Sequence, residues 1–230
     1  MVTKFHEFSD GATLAEGLAD TVASALRAAI EARGSATIAV SGGSTPKQFF
    51  KALSSRDIDW AKVTVTLVDE RFVPADSPRS NHLLVAENLL HTAPARFLPL
   101  YRKAASAEEA AQLASADVAS LPAPLDVVIL GMGNDGHTAS FFPGGDHLAE
   151  ALSPEMPRGV ITMEAKGAGE TRLTLTFSSL QDARLLVLHI EGQSKKDTLE
   201  KALAAGPESD MPVRAMFRRA ATPVDIFWAP

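Results

Sequence analysis

The sequence predicts an α/β fold, a mostly parallel β-sheet with helices on both faces. Short apolar segments alternate along the chain with longer segments of helical periodicity, and this alternation is typical of α/β proteins. Several short segments are apolar throughout, as expected for strands buried on both faces of a parallel sheet. Clusters of glycine and polar residues follow three of these segments, and in such sheets ligands bind where the strands end.

The first predicted helix lies near the N-terminus. Apolar residues recur there at every fourth position, namely Leu14, Leu18, Val22, Leu26 and Ile30. This spacing places them on one face of a helix. Asp10 or Thr13 can cap its N-terminus, and Gly34 follows its last turn.

The remaining elements continue the alternation. The predicted strands are "ATIAV", "VTVTLV", "LDVVIL", "RLTLTF", "RLLVLHI" and "VDIFWA". One predicted helix begins at Pro46. Three more cover "NHLLVAENLL", "SAEEAAQLASADVASL" and "SKKDTLEKALAA". Proline and glycine between Pro143 and Gly169 predict a mobile loop near the strand ends. The length fits one domain over residues 1–230.

Composition argues against several classes of protein. A net charge of -6 is unlike the basic face of a nucleic-acid binder. No apolar run approaches the roughly 20 residues of a membrane-spanning helix. The N-terminus lacks the apolar stretch of a signal peptide, so we expect a cytoplasmic protein. There is no cysteine and no histidine pair with the i, i+4 spacing of a helical zinc site, so no metal is expected. The arginines in "VRAMFRRAA" are expected on a solvated face.

The segment "SGGSTP" follows a predicted strand and opens a helix. Gly42 and Gly43 let the backbone approach a ligand, and N–H groups at a helix start attract anions. Ser44 and Thr45 add hydroxyl donors. A tight turn with a Ser or Thr cap would give the same letters. The segment is neither a Walker loop nor a dinucleotide-binding glycine motif.

The segment "DERFVP" places acidic and basic side chains at another strand end. Arg71 can form a bidentate contact with a phosphate or carboxylate. Asp69 can act as a base or orient another group, whereas a surface ion pair is the alternative. Downstream in "SPRSNH", Asn81 can bind sugar hydroxyls or cap the next helix, and Ser80 is the better cap.

The segment "GMGNDGHTASFFPG" predicts the catalytic centre. His137 can accept a proton from water near neutral pH, and Asp135 can orient it. Gly133 and the neighbouring glycines leave space for a substrate. The alternative is a glycine-rich connection with an incidental histidine. The other five histidines lack such surroundings and are expected to be structural or exposed: His6, His82, His91, His147 and His189.

Two further cations are candidates for binding a substrate anion. Arg172 begins the segment "RLTLTF", and Lys195 opens the helix after "HIEG". Each can also be an ordinary surface cation.

In these segments the chain resembles the 6-phosphogluconolactonases, which are related to the glucosamine-6-phosphate isomerases. The matching segments are "SGGSTP", "DERFVP", "LGMGNDGHTASFFPG", "RLTLTF" and "EGQSK". They occur in the family's order and span about residues 38–200. The resemblance implies a Rossmann-like parallel sheet and no metal or organic cofactor. It also implies hydrolysis of 6-phospho-D-glucono-1,5-lactone, a phosphosugar lactone, to 6-phosphogluconate in the pentose phosphate pathway.

The related isomerase activity is an alternative. The segment after the histidine of the isomerases resembles Ile-Ala-Phe-Asn-Glu-Pro, and the glutamate position falls on Phe142 here. Phenylalanine cannot transfer a proton, so isomerisation or deamination of an amino-sugar phosphate is disfavoured. Asp69 does not discriminate between the two activities. A non-catalytic sugar-phosphate sensor is the second alternative, but it has no need of a histidine among glycines.

The mechanism that we expect is attack of water on the lactone carbonyl with His137 as the base. The phosphate is expected to be shared among Ser44, Thr45, Arg71, Arg172 and Lys195. The chain departs from the lactonase pattern in two segments: Thr171 stands where a proline is common, and arginines stand in "MPVRAMFRRAA" where small or apolar residues are usual. We expect a monomer or a weak homo-oligomer.

Overall fold

The computed structural model describes residues 4–230 and contains two β-sheets surrounded by helices. Within these residues the strands are β1 (Phe5–Glu7), β2 (Ala36–Val40), β3 (Val63–Leu67), β4 (Asp69–Arg71), β5 (Arg96–Leu98), β6 (Val127–Leu130), β7 (Val160–Met163), β8 (Arg172–Leu175), β9 (Leu185–Glu191) and β10 (Val224–Ala229). The α-helices are α1 (Gly11–Arg33), α2 (Pro46–Ser54), α3 (Asn81–Val85), α4 (Ala107–Ala119), α5 (Leu148–Ala151), α6 (Phe177–Leu180), α7 (Gln193–Leu203) and α8 (Val213–Arg219). A π-helical turn, Ala86–Leu90, extends α3.

The larger sheet has seven strands in the order β1-β10-β9-β6-β2-β3-β5. Every neighbouring pair in it is parallel. Its central strands β2 and β6 are buried along their whole length. The predicted α/β fold is therefore confirmed.

Helix α1 forms where the sequence predicts it. The Asp10 side chain accepts a hydrogen bond from the Thr13 N–H at 2.8 Å, and the Thr13 hydroxyl accepts one from the Asp10 N–H at 3.3 Å. This reciprocal cap satisfies two backbone donors that a helix start leaves free. Gly34 ends the helix with a φ of 78°, a conformation that glycine adopts without steric cost.

The smaller sheet is antiparallel, with the order β4-β8-β7. The predicted strand "RLTLTF" is confirmed as β8, but the sequence analysis does not predict a second sheet, and Asp69–Arg71, predicted to end a strand, forms a strand of its own, β4. Val68 makes the transition: its N–H donates to Val40 in the large sheet at 3.0 Å, and its carbonyl accepts from Leu175 in the small sheet at 2.9 Å. Apolar patterning identifies strands but does not specify their partners.

The segment between Pro143 and Gly169 contains regular structure, so the prediction of a mobile loop is wrong. It holds α5 and β7, and β7 is buried throughout. Ser115 on α4 fixes this strand because its hydroxyl donates to the Val160 carbonyl at 3.0 Å and accepts from the Val160 N–H at 2.8 Å.

Near the C-terminus, Arg214 is buried instead of lying on a solvated face. Its guanidinium donates to the carbonyls of Lys201, Ala202 and Pro207 at 2.9 to 3.2 Å. It thereby satisfies carbonyl groups at the end of α7 that lack helical partners. In the residues that the structure describes, no helix is long and apolar enough to cross a membrane.

Strands β2 and β6 lie side by side at the centre, and the chain leaves them toward opposite edges of the sheet. Such a reversal of strand order opens a crevice at the carboxyl ends of the strands. The Ser41 hydroxyl joins the two loops, since it donates to the Ile129 carbonyl and accepts from the Gly131 N–H, both at 3.0 Å. The crevice is therefore bounded by "SGGSTP" on one side and "GMGNDGH" on the other.

Candidate active site

A cavity of about 330 Å³ occupies this crevice, a size in the range of small-molecule sites. It brings together nearly all of the residues that the sequence singles out. Those that line it are Gly42, Gly43, Ser44, Thr45, Asp69, Arg71, Asn81, Gly133, His137, Arg172 and Lys195. Asp135 does not line the cavity and contacts it through His137.

His137 and Asp135 form a close pair at the cavity wall. The His137 Nδ1 lies 2.6 Å from the Asp135 Oδ1, which also accepts the His137 N–H at 3.1 Å. The hydrogen bond from His137 lowers the pKa of Asp135 to about 2, so this carboxylate is ionised near neutral pH and can only accept. Nδ1 must then be the donor, and Nε2 of the neutral imidazole carries a lone pair. Nε2 is thus available to take a proton.

Gly133 is required by this pair for steric reasons. A Cβ atom at position 133 would lie 2.1 Å from the His137 Nδ1 and 2.5 Å from the Asp135 Oδ1. The Gly133 N–H also donates to the His137 carbonyl at 2.9 Å. The glycine thus leaves the space that the imidazole and the carboxylate occupy.

The loop from Gly42 to Thr45 presents unused donors to the cavity. Among residues 4–230, the N–H groups of Gly42, Gly43 and Ser44 have no hydrogen-bond acceptor. Thr45 precedes α2 but makes no capping hydrogen bond, so a simple capped turn does not describe the loop. Gly43 has a φ of 98°. Successive N–H groups of this kind form an anion-binding concavity.

The Asn81 side chain packs against this loop at Gly42. A Cβ atom at Gly42 would lie 1.8 Å from the Asn81 Oδ1, so the amide packs directly on the glycine. Its Nδ2 donates to the Asp69 carbonyl at 2.9 Å. Asn81 lines the cavity, but this donor is already used within the protein. Ser80 caps α3, as predicted, by accepting from the Leu83 N–H.

Arg71 and Arg172 are opposite each other in the antiparallel sheet. Arg71 donates one Nη1 bond to the Arg79 carbonyl at 2.5 Å, and Arg172 donates from Nη2 to the Ala168 carbonyl at 2.7 Å. The buried Nε atoms of both have no partner in the described part of the chain. Burial lowers the pKa of Arg172. Two guanidinium groups with unused donors favour a bound anion.

Asp69 is buried beside Arg172, with 3.7 Å between its Oδ2 and the Arg172 Nη1. The same oxygen accepts the Ser140 hydroxyl at 2.6 Å. Between Ser140 and His137 the backbone is strained, because Ala139 has a φ of 48°, which a residue with a Cβ rarely adopts. Such strain persists where surrounding contacts enforce it, and the Ser140 bond is one of them.

Glu70 is a structural residue that the sequence does not distinguish from Asp69. It is fully buried and accepts from the N–H groups of Arg71, Asn81 and His82 and from the Ser80 hydroxyl, at 2.7 to 2.9 Å. Burial raises the pKa of Glu70 although these donors act in the opposite direction. Glu70 thereby holds the segment that carries Asn81.

Two titratable cavity residues are not among the predicted site residues: His189, which is expected from the sequence to be structural or exposed, and Glu191. His189 and Glu191 lie two residues apart on β9, and the His189 Nε2 is 3.1 Å from the Glu191 Oε1. Both line the cavity, and "HIEG" is a further polar strand end that could have identified them. Lys195, one turn later, also lines the cavity, and burial lowers the pKa of Lys195.

No three His, Asp or Glu side chains come together as metal ligands would in residues 4–230.

Comparison with known proteins gives consistent matches along the chain. The family model described as "Glucosamine-6-phosphate isomerases/6-phosphogluconolactonase" matches residues 9–228. A 6-phosphogluconolactonase of Rhizobium meliloti (strain 1021) is 66% identical, over 100% of both chains. A 6-phosphogluconolactonase of Mesorhizobium japonicum is 54% identical, over 98% of this chain and 95% of its own. The crystal structure of a 6-phosphogluconolactonase from Shewanella baltica superimposes with a TM-score of 0.95 at 40% identity, covering 100% of this chain and 98% of that one.

Proposed function

The chain belongs to the glucosamine-6-phosphate isomerase/6-phosphogluconolactonase family, and we propose that it hydrolyses 6-phospho-D-glucono-1,5-lactone to 6-phosphogluconate, a reaction of the pentose phosphate pathway. The observation that carries this proposal is the imidazole–carboxylate pair at the cavity wall. Asp135 occupies Nδ1 of His137, so Nε2 can serve as a base toward a water molecule in the cavity.

The substrate phosphate is assigned to the cationic side of the cavity. Arg71 and Arg172 contribute unused Nε donors, Lys195 contributes an ammonium group, and Ser44 and Thr45 contribute hydroxyls. This remote group binds strongly in both ground state and transition state, and it positions the lactone carbonyl near His137. Asp69 keeps Arg172 in place and is the next candidate for the base.

The reaction needs one water and no other reactant. The water oxygen attacks the lactone carbonyl carbon while its proton passes to the His137 Nε2. The tetrahedral oxyanion is stabilised by backbone N–H groups of the glycine-rich loops that line the cavity. The bond to the ring oxygen then breaks, and the imidazolium returns its proton to that oxygen. The product is a carboxylic acid, which ionises.

The alternative activities have less support. Isomerisation or deamination of an amino-sugar phosphate lacks the carboxylic acid whose position Phe142 occupies, and this buried ring packs against the His137 ring at 4.3 Å between centroids. A sugar-phosphate sensor would need the anion site but not the His137–Asp135 pair. We further propose that residues 1–230 act as one domain, without metal or organic cofactor, in the cytoplasm and as a monomer or weak homo-oligomer.

The test is the rate of acid release from freshly prepared 6-phosphogluconolactone, corrected for spontaneous hydrolysis. We expect fast turnover by the unmodified protein, at least about 100-fold slower turnover by His137→Ala, and no change in His91→Ala, an exposed histidine outside the cavity. Fast turnover by both the protein and His137→Ala would support the lactonase activity but assign the role of base to Asp69 instead of His137. No acceleration by the unmodified protein would refute the proposal.

A further inference from the structure

Phe142 contacts both the base and one of the anion-binding arginines. Its ring lies 4.3 Å from the His137 ring, centroid to centroid, at an angle of 33°. The Cζ of Arg172 lies 5.4 Å from the same ring centroid. The side chain is 3% exposed and lines the cavity. The mechanism above gives this residue no role.

The backbone around Phe142 is held firmly. The Phe141 N–H donates to the Thr138 carbonyl at 2.9 Å, and the Gly145 N–H donates to the Phe142 carbonyl at 3.0 Å. The Ser140 hydroxyl anchors the intervening turn to Asp69. These bonds fix the backbone that carries the ring, and burial of the ring itself limits its movement away from its two neighbours.

The face of an aromatic ring attracts cations because it carries partial negative charge. Arg172 is a permanent cation in a buried site, with one carboxylate 3.7 Å away. His137 becomes a second cation when it accepts the proton of the attacking water. The ring is thus placed to stabilise one charge that binds substrate and another that forms during the reaction.

We propose that Phe142 is a positioning residue whose aromatic face holds the Arg172 guanidinium and stabilises the His137 imidazolium. The imidazolium half of this inference rests on the proposed function, because that ion arises in lactone hydrolysis. An aliphatic side chain would fill the same space but has no negatively charged face.

The test is a series of fluorinated phenylalanines at position 142, with one, two and three ring fluorines. Fluorine removes negative charge from the ring face while the ring keeps nearly the same shape. Position 97 supplies the matched control, because Phe97 packs on a histidine, His82, at 4.5 Å and 37° but does not line the cavity. For each protein we would measure kcat and KM with the lactone, and the Kd of inorganic phosphate.

We expect kcat/KM to fall stepwise with each fluorine at position 142, by about tenfold for three fluorines, and the phosphate Kd to rise in the same order. The series at position 97 should leave both quantities unchanged. A flat series at position 142, or an equal decline in both series, would overturn the inference. An unmodified protein without lactonase activity would refute the proposed function, whereas the phosphate titration would still decide whether the ring holds Arg172.

Discussion

Replacing Gly133 by alanine tests whether the position of the His137–Asp135 pair determines the rate. A Cβ atom at position 133 would lie 2.1 Å from the His137 Nδ1, and ordinary contacts begin at 3.4 Å. The imidazole must therefore move by roughly 1.3 Å, the difference between these two distances. A misplacement of about 1 Å in a catalytic group can lower a rate by about 100-fold, which corresponds to about 2.7 kcal/mol of transition-state stabilisation.

We therefore expect Gly133→Ala to lower kcat by about 100-fold with a smaller change in KM, because the residues assigned to the phosphate lie elsewhere. Gly131→Ala in the same loop is the control, since a Cβ atom there meets its nearest neighbour at 3.9 Å. The assay is initial-rate acid release from fresh lactone, together with thermal unfolding to verify that both variants fold. A folded Gly133→Ala with unchanged kcat would refute the geometric role of the pair.

Three further outcomes are expected. Asp135→Asn should lower kcat by about 100-fold or more with little change in KM, because an amide no longer fixes the tautomer of His137. Steady-state kinetics would test this, and an unchanged kcat would exclude the orienting role. Ionised Asp135 stabilises the fold above about pH 4, and this contribution should disappear as the pH falls toward 2. The difference in unfolding free energy between the protein and Asp135→Asn should therefore shrink over that range, and a constant difference would contradict this stabilising role of Asp135. Glu70→Gln should destabilise the protein by about 1–3 kcal/mol in urea unfolding, because an amide NH₂ would face hydrogen-bond donors. The control Glu31→Gln, at an exposed position, should leave the stability unchanged, and equal stability of the two variants would contradict the structural role of Glu70.

The sequence alone determined those features that depend on local chemistry. The apolar residues at every fourth position and the cap formed by Asp10 and Thr13 specify α1, because a helix is stabilised by contacts between residues that are near neighbours in the sequence. Apolar strands followed by glycine and polar residues located the cavity, because parallel strands in an α/β sheet end on one side. For the same reason the segments carrying His137 and Arg71 could be assigned to one site.

The tertiary structure decided what depends on residues far apart in the chain. The pairing of β4 with β8 places Arg71 opposite Arg172, and no periodicity in either segment specifies that partner. The buried position of Arg214, likewise, depends on carbonyl groups at the end of another helix. The need for Gly133, the cavity position of His189 and the contact of Phe142 with both His137 and Arg172 arise from close approach of side chains in space. Such packing is decided only when the whole chain has folded, because each contact depends on the shape of several elements at once.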